Sequence, residues 1–236
     1  MVVLSSDSRA EVDWEPEMTI DVETRDCAAL TDADLEEMQS MGGAFDLPTL
    51  TKAKEDWVLS TTARENGKLL GFTFSTLERI GGTPCVLLGL MSVKRGGKRD
   101  QTLKGLMTEA FHRALMAFPD EDVVVGSRFV AADGLEAFKS LTEIIPRPGY
   151  RAVGEERAWG RRLARRFGVD AQYDEQSFVV AKKGRSGFID HESSKPDKQK
   201  PEILALFGPV DPSGTGVLIV HGWTMSENLL KLGRRS

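Results

Sequence analysis

Runs of apolar residues in the middle of the chain predict three consecutive strands, at about 58–64, 69–79 and 85–93. Asn66-Gly67, between the first two runs, is a strong signal for a tight hairpin turn. Gly81-Gly82 precedes the third run. Short turns of this kind join antiparallel neighbours, so the pattern predicts an antiparallel meander.

A basic loop and a helix follow the third strand. Apolar residues recur three and four positions apart over 102–117, which predicts an amphipathic helix with one buried face. The loop before it, 94–101, reads Lys-Arg-Gly-Gly-Lys-Arg-Asp-Gln. A helix N-terminus offers backbone N–H groups and a positive dipole end, so a basic loop at this point favours an anionic, phosphorylated ligand.

Further elements are predicted on both sides of this central segment. Residues 123–130 are strongly apolar, as is typical of a strand at the centre of a sheet. The other predicted strands are 18–24, 177–181 and 216–221, and the other predicted helices are 31–41, 50–57, 134–141, 155–167 and 225–232.

Composition narrows the class of protein. The chain has 236 residues, 40% hydrophobic residues and a net charge of −5, so we expect one main domain, and any basic site must be local. No apolar run is long enough to span a bilayer, and no signal-peptide core begins the chain, which predicts a cytoplasmic protein without membrane contact. Two cysteines and three scattered histidines form no ligand pattern, so no metal site is expected.

The order strand, helix, helix, three-strand meander, loop, helix, strand, helix resembles that of the GNAT-type N-acetyltransferase superfamily. The segment 65–72, Glu-Asn-Gly-Lys-Leu-Leu-Gly-Phe, is similar to the turn and strand that often mark that family. The resemblance covers about 18–150 and implies an α/β (α+β) fold with a mixed, mostly antiparallel central sheet flanked by helices. Residues 1–17 are then predicted to be a flexible tail, and 151–236 an elaboration with a charged linker near 190–201.

The resemblance implies that the cofactor is acetyl-CoA or another acyl-CoA. In that family the strand before the loop pairs with the pantetheine arm, a role that falls here to the backbone of Met91 and Val93. The loop and helix N-terminus hold the pyrophosphate, which assigns cofactor binding to Lys98, Arg99, Asp100, Gln101, Thr102 and Leu103. Thr102 and Lys104 stand where the family usually has small residues.

The implied reaction is direct attack of an amine acceptor on the thioester within a ternary complex, with a backbone N–H near Met91 polarising the carbonyl. Many family members use a Tyr to protonate the leaving thiolate, but Phe138 occupies that place here and has no proton to donate. Glu78 is the candidate base and Tyr150 an alternative acid, while Ser127 is placed to line the acceptor cleft. The alternatives are that Glu78 is an ordinary exposed carboxylate at a strand end, that Tyr150 packs in the core and that Ser127 is a structural hydroxyl.

A second function is a non-catalytic GNAT-like interaction module. The predicted helix 155–167 carries five arginines, and such a face can be solvated, contact nucleic acid or form a partner interface such as a homodimer. No aromatic residues interleave with the arginines, so stacking of single-stranded bases is not indicated. The acceptor and the acyl group are not specified by any motif.

Overall fold

The computed structural model describes residues 20–41, 45–181, 199–208, 210 and 216–234. The strands in these ranges are β1 Asp21–Asp26, β2 Leu59–Glu65, β3 Lys68–Ile80, β4 Thr83–Val93, β5 Val123–Phe129, β6 Thr142–Ile145, β7 Tyr173–Asp174, β8 Val179–Val180 and β9 Val217–Thr224. The α-helices are α1 Asp32–Ser40, α2 Leu47–Asp56, α3 Arg99–Ala117, α4 Gly154–Arg166, α5 Pro201–Leu206 and α6 Ser226–Leu232. Short 3₁₀ helices cover Cys27–Ala29, Ala132–Phe138 and Asp170–Gln172.

All the described strands belong to one sheet, in the order β1-β2-β3-β4-β5-β9-β8-β7, with β6 also paired to β9. Every neighbouring pair is antiparallel except β4 and β5, which are parallel. The predicted fold class, a mixed and mostly antiparallel sheet flanked by helices, is confirmed. The strand predicted for the sheet centre, β5, lies between β4 and β9.

The predicted meander is present and its first turn has the expected backbone. Asn66 and Gly67 both have positive φ, 49° and 76°, which is the combination that a type I′ hairpin turn requires. Glu65 pairs with Lys68 directly across this turn. The second hairpin turns at Gly81 and Gly82, which also have positive φ.

Two hydrophobic cores cover the two faces of the sheet. Buried residues of α3, such as Leu106 and Phe111, pack with Val86 and Leu88 of β4 on one face. On the other face Trp57 and Trp159 pack with Leu87, which lies between Val86 and Leu88 on β4. Alternate residues of β4 therefore enter opposite cores, which explains why its sequence is apolar throughout rather than alternating.

The sequence missed some elements and misplaced some boundaries. Strand β6 was not predicted because its four residues are too few to show a period, and α5 begins with Pro201 inside the stretch read as the end of a linker. Helix α3 starts at Arg99 rather than 102, since its first turn is polar. The predicted tail 1–17 and most of the linker 190–201 lie outside the described residues.

A β-bulge interrupts the pairing of β3 with β4. Thr73 stands opposite Met91, but Ser75 stands opposite Leu88, so β4 has one residue more than its partner. Gly89 lies in this bulge, and the Trp57 indole covers it so closely that an added Cβ would lie 2.7 Å from Cδ2 and closer to other ring atoms. Only a residue without a side chain fits there.

We expect Gly89→Ala to lower the free energy of unfolding by about 1–3 kcal/mol, because the indole has to move out of a packed core. Urea denaturation measures the loss. Gly97→Ala is the matched control, since no heavy atom lies within 4 Å of the Cβ it adds. Equal stability of the two variants would contradict the packing described for Trp57.

His221 of β9 is fully buried, and burial lowers its pKa from 6.5 to about 4. Its Nε2 lies 3.1 Å from the carbonyl oxygen of Glu156. In the unfolded chain the imidazole takes up a proton near its ordinary pKa, while in the folded protein it stays neutral until about pH 4. The unfolded state therefore binds more protons in this window, so stability falls as the pH falls through it.

When the pH is lowered from about 7 to about 5, we expect His221 alone to lower the free energy of unfolding by about 2 kcal/mol. His221→Gln removes the titrating group, so its stability should fall by that much less than the wild type over the same range. Urea denaturation at the two pH values measures both slopes. Parallel losses in the two proteins would show that His221 is not held neutral by the fold.

Candidate functional site at the fork between β4 and β5

The parallel pairing between β4 and β5 stops partway along both strands. The ladder joins Cys85 to Val124 and ends at Leu87 and Gly126. Both strands continue, β4 paired to β3 as far as Val93 and β5 paired to β9 as far as Phe129. Among the described residues no backbone pair joins these last parts to each other, so the two strands form a fork that opens toward their C-terminal ends.

Ser127 lies at the vertex of this fork. Its side chain is fully buried, and its hydroxyl donates a hydrogen bond of 2.9 Å to the carbonyl oxygen of Leu88, one step beyond the last ladder pair. This contact links the two strands where the backbone ladder ends. The bulge at Gly89 follows immediately on β4.

Met91 and Val93 lie on the β4 arm of the fork, opposite Thr73 and Gly71 of β3. Their side chains are buried, so only their backbone N–H and C=O groups could bind a ligand in the fork. On the β5 arm, Phe129 packs edge-on against Phe138, with ring centroids 5.1 Å apart. Phe138 is fully buried beside the β5 arm of the fork.

The basic loop runs from the tip of β4 to α3. The Lys94 N–H donates to the carbonyl oxygen of Leu70 at 2.7 Å, which fixes the start of the loop to β3. Residues 94–97 are exposed, and Lys98 is the N-cap residue of α3, with no side chain capping the helix. The first turn of a helix has N–H groups without intrahelical partners, and here that turn adjoins the fork.

The two cations at the helix start are already engaged with carboxylates. Lys98 forms an ion pair with Glu65, and Arg99, which is only 7% exposed, forms ion pairs with Asp100 at 2.7 Å and with Glu136. A phosphate that used these two side chains would compete with the carboxylates. The exposed cations of this region are instead Lys94, Arg95 and Lys104.

The Thr102 side chain packs against the sheet. Its hydroxyl donates to the carbonyl oxygen of Lys98 at 2.9 Å, and its methyl group packs over Gly71 of β3, where an added Cβ would lie 2.9 Å from it. Leu103 is also buried, whereas Asp100 and Gln101 are exposed. Of the two residues that depart from the family pattern, Thr102 thus packs α3 onto the sheet, whereas Lys104 is exposed.

The structure places the other two candidate catalytic residues in different surroundings from Ser127. Glu78 is opposite Cys85, in the part of the sheet before the fork, and both its oxygens accept from Arg166, at 2.6 and 2.9 Å. The Tyr150 hydroxyl donates to Glu156 at 3.1 Å in a mostly exposed position. Partial desolvation and Glu156 raise the pKa of Tyr150.

The sequence analysis did not predict that carboxylates bind the two cations at the start of α3, Lys98 and Arg99. Burial raises the pKa of Asp133, against the opposing effect of the nearby Arg99, and Glu136 of the same 3₁₀ helix binds Arg99. Glu65 stands out in the sequence because it is next to the hairpin turn. No local pattern marks Glu136 as the residue that pairs with Arg99. Among the described carboxyl groups with a resolved shift, Asp133 is the one whose pKa is raised.

The arginine helix is α4, and its side chains are largely occupied. Arg161 forms an ion pair with Glu175, and Arg166 with Glu78. The Arg162 guanidinium lies over the ring of Trp159, 4.9 Å from its centroid. Arg165 is exposed.

The ranges that the structure describes contain no group of three or more His, Cys, Asp or Glu side chains arranged to hold a metal ion. Within the same ranges, no helix has both the length and the apolar character needed to cross a membrane. Cys27 and Cys85 are buried free thiols, and burial raises the pKa of each to about 12.

No protein-family model and no curated protein sequence matches the chain. Among solved structures, it is similar to ElaA of Escherichia coli, with 17% identity over 58% of this chain and 95% of that one and a TM-score of 0.37. It is also similar to the ribosomal-protein-S18-alanine N-acetyltransferase of Escherichia coli, with 17% identity over 57% and 86% of the two chains and a TM-score of 0.34. A GNAT-family acetyltransferase of Brucella melitensis, solved with acetyl-CoA, matches with 20% identity over 44% and 75% and a TM-score of 0.30.

Proposed function

We propose that the chain is an acyl-CoA-dependent N-acyltransferase, with acetyl-CoA as the acyl donor. The observation that supports this is the fork between β4 and β5, which opens beside the N-terminus of α3 and an exposed basic loop. A strand edge without a partner can pair with an amide-bearing chain, as in β-strand addition. The pantetheine arm of coenzyme A carries such amides, and its phosphates suit the helix N-terminus.

In this proposal the backbone of Met91 and Val93 pairs with the pantetheine arm, and a backbone N–H near Met91 polarises the thioester carbonyl. The backbone of the first turn of α3, Lys98 to Gln101, holds the pyrophosphate, because the N–H of Thr102 already donates to the carbonyl oxygen of Lys98. Side-chain charge comes chiefly from the exposed Lys94 and Arg95, because Lys98 and Arg99 are held by carboxylates. The amine acceptor attacks directly, with binding supplying proximity and orientation.

Proton transfers in this proposal run through water. Glu78 is bound at both oxygens by Arg166, so it acts as a base only through a relayed water or after that pair opens. Asp133 is an added candidate, since its raised pKa suits a group that exchanges protons. Phe138 cannot protonate the thiolate, and Tyr150, hydrogen-bonded to Glu156, is the alternative acid.

A second candidate function is the same scaffold without catalysis. The ion pairs at Lys98 and Arg99 and the presence of Phe138 favour it. The structure lends less support than the sequence to nucleic-acid contact through α4, since Arg161 and Arg166 are paired within the chain. Salt-dependent binding of nucleic acid that is lost on removing the Arg161 and Arg165 charges would favour this function.

We expect Lys94→Ala/Arg95→Ala to weaken acetyl-CoA and CoA binding roughly tenfold or more, because two charges near the phosphates are removed. Isothermal titration calorimetry measures both affinities. Lys52→Ala/Lys231→Ala is the control, since it removes two charges from exposed positions of α2 and α6. These variants are preferable to changes at Arg99, because Arg99 is buried and its loss would remove the ion pairs with Asp100 and Glu136.

No binding of either ligand to the wild type would refute the proposed function and leave the non-catalytic scaffold. Equal weakening by the two double variants would show that the loop is not the phosphate site. Tight binding that only the loop variant loses supports the site and makes a screen of amine acceptors worthwhile.

Ser127→Ala should lower the free energy of unfolding by about 1–2 kcal/mol, because the buried carbonyl of Leu88 loses its hydrogen bond. Ser60→Ala is the control, since the buried Ser60 hydroxyl has no hydrogen-bond partner among the described residues. Denaturant unfolding compares the two. An equal cost at both positions would contradict a link at the vertex, while the catalytic role of Ser127 stays a prediction.

A further inference from the structure

The two cations at the start of α3 are held by carboxylates of the chain itself. Lys98 is paired with Glu65, the last residue of β2, and Arg99 is paired with Asp100 and with Glu136. The proposed function puts the pyrophosphate of the ligand at this same helix start. The chain therefore supplies its own anions to the cations that lie nearest to that place.

The ion pair between Arg99 and Glu136 joins the two sides of the fork. Arg99 is the first residue of α3, which follows the β4 arm, and Glu136 lies in the 3₁₀ helix Ala132–Phe138, which follows the β5 arm. Phe138 of this 3₁₀ helix packs on Phe129 at the end of β5. The pair thus connects the segments that continue from the two arms beyond the open end of the fork.

The Arg99 guanidinium keeps a partner when Glu136 leaves it. The Arg99 side chain is 7% exposed, and a buried cation that loses all its partners is strongly destabilising. Asp100 is the next residue in the same helix and contacts the guanidinium at 2.7 Å. An exchange of Glu136 for another anion therefore leaves Arg99 paired throughout.

A third carboxyl group weakens the hold on Glu136. Burial raises the pKa of Asp133, the nearby Arg99 opposes this rise, and the charge of Glu136 adds to it. Asp133 and Glu136 belong to the same 3₁₀ helix, and two ionised carboxylates this close repel each other. Arg99 therefore holds Glu136 against a repulsion that ends when Glu136 moves away.

A diphosphate is a stronger partner for Arg99 than Glu136 is. Guanidinium groups bind phosphate oxygens through two parallel charge-assisted hydrogen bonds, and a diphosphate carries more negative charge than one carboxylate. The exposed Lys94 and Arg95 provide the first contact for such a ligand. It then lies close to Arg99 and can compete with Glu136 from a bound position.

We propose that Glu136 is a built-in competitor for the anion site at the start of α3. A ligand with a diphosphate takes Arg99 from Glu136, and this exchange of ion pairs releases the 3₁₀ helix from α3 at the open end of the fork. The proposal rests on the proposed function for the place of the ligand. It adds that the free protein is held in a low-affinity state by its own carboxylate.

Inorganic pyrophosphate is the probe, because it carries a diphosphate without a pantetheine arm or an acyl group. Isothermal titration calorimetry of the full chain measures its affinity. We expect Glu136→Gln to bind pyrophosphate roughly tenfold tighter than the wild type, because glutamine keeps the size of the side chain but no longer competes as an anion. An unchanged or weaker affinity, or no detectable binding to this variant, would overturn the proposal.

Asp100→Asn is the matched control. It neutralises a carboxylate that contacts the same guanidinium but lies on α3 itself and is 78% exposed, so the link to the 3₁₀ helix remains. We expect it to change the affinity by less than about threefold. Equal gains in Asp100→Asn and Glu136→Gln would reveal a general effect of charge and contradict competition at Arg99.

A double variant tests whether the gain passes through Arg99. Arg99→Gln/Glu136→Gln should bind pyrophosphate no tighter than Arg99→Gln does, and a gain that survives without Arg99 would refute the exchange. If removal of the buried Arg99 prevents folding, the comparison of Glu136→Gln with Asp100→Asn still decides.

Acetyl-CoA, titrated in parallel, separates this proposal from the proposed function. If the wild type binds no acetyl-CoA, the proposed function fails, while the pyrophosphate affinities still decide whether Glu136 competes. If the wild type binds acetyl-CoA but Glu136→Gln shows no gain for pyrophosphate, the proposed function stands and the competitor role of Glu136 falls.

Discussion

The partial pairing of β4 with β5 is the constraint on which the candidate site depends. Two parallel strands that share a sheet normally stay paired along their common length, because unpaired backbone groups in the interior are costly. Here the ladder ends after Leu87 and Gly126, and a serine hydroxyl continues the connection for one more residue. Beyond that point, within the described ranges, β4 pairs with β3 alone and β5 pairs with β9 alone.

The bulge at Gly89 and the Trp57 indole explain how β4 can leave β5 without leaving β3. One extra residue on β4 re-aims the strand, and the indole fills the space above the glycine. The position of the fork therefore depends on the packing of Trp57, at the C-terminal end of α2, as well as on the hydrogen bond from Ser127 to Leu88. A basic loop that begins at the tip of β4 necessarily starts next to this opening.

The basic residues of the loop and the helix start fall into two groups, those paired with carboxylates of the chain and those exposed to solvent. Arg99 is buried and bridges to Glu136, so its charge joins α3 to the 3₁₀ helix that follows β5. Lys98 ties the same helix start to the β2–β3 hairpin through Glu65. Residues that look in the sequence like ligand-binding cations thus contribute to holding both sides of the fork, and ligand charge falls to Lys94 and Arg95.

Sequence reasoning predicted what depends on local pattern. The hairpin at Asn66-Gly67, the amphipathic stripe of α3 and the apolar run of β5 each carry their signal within a few residues, and each is present. The partners of Lys98 and Arg99 lie 33 and 37 residues away, and no local pattern encodes such a contact.

The insertion of β9 between β5 and β8 has a consequence for how the protein folds. Phe129 and Leu218 are partners although about ninety residues separate them, so the middle of the sheet is closed by a strand made long after β5. Until then β5 has an open edge, and both cores lack the apolar residues that β9 supplies. A chain synthesised only as far as α4 would expose this edge until β9 pairs with it, and an unpaired strand edge is a template for association with other chains.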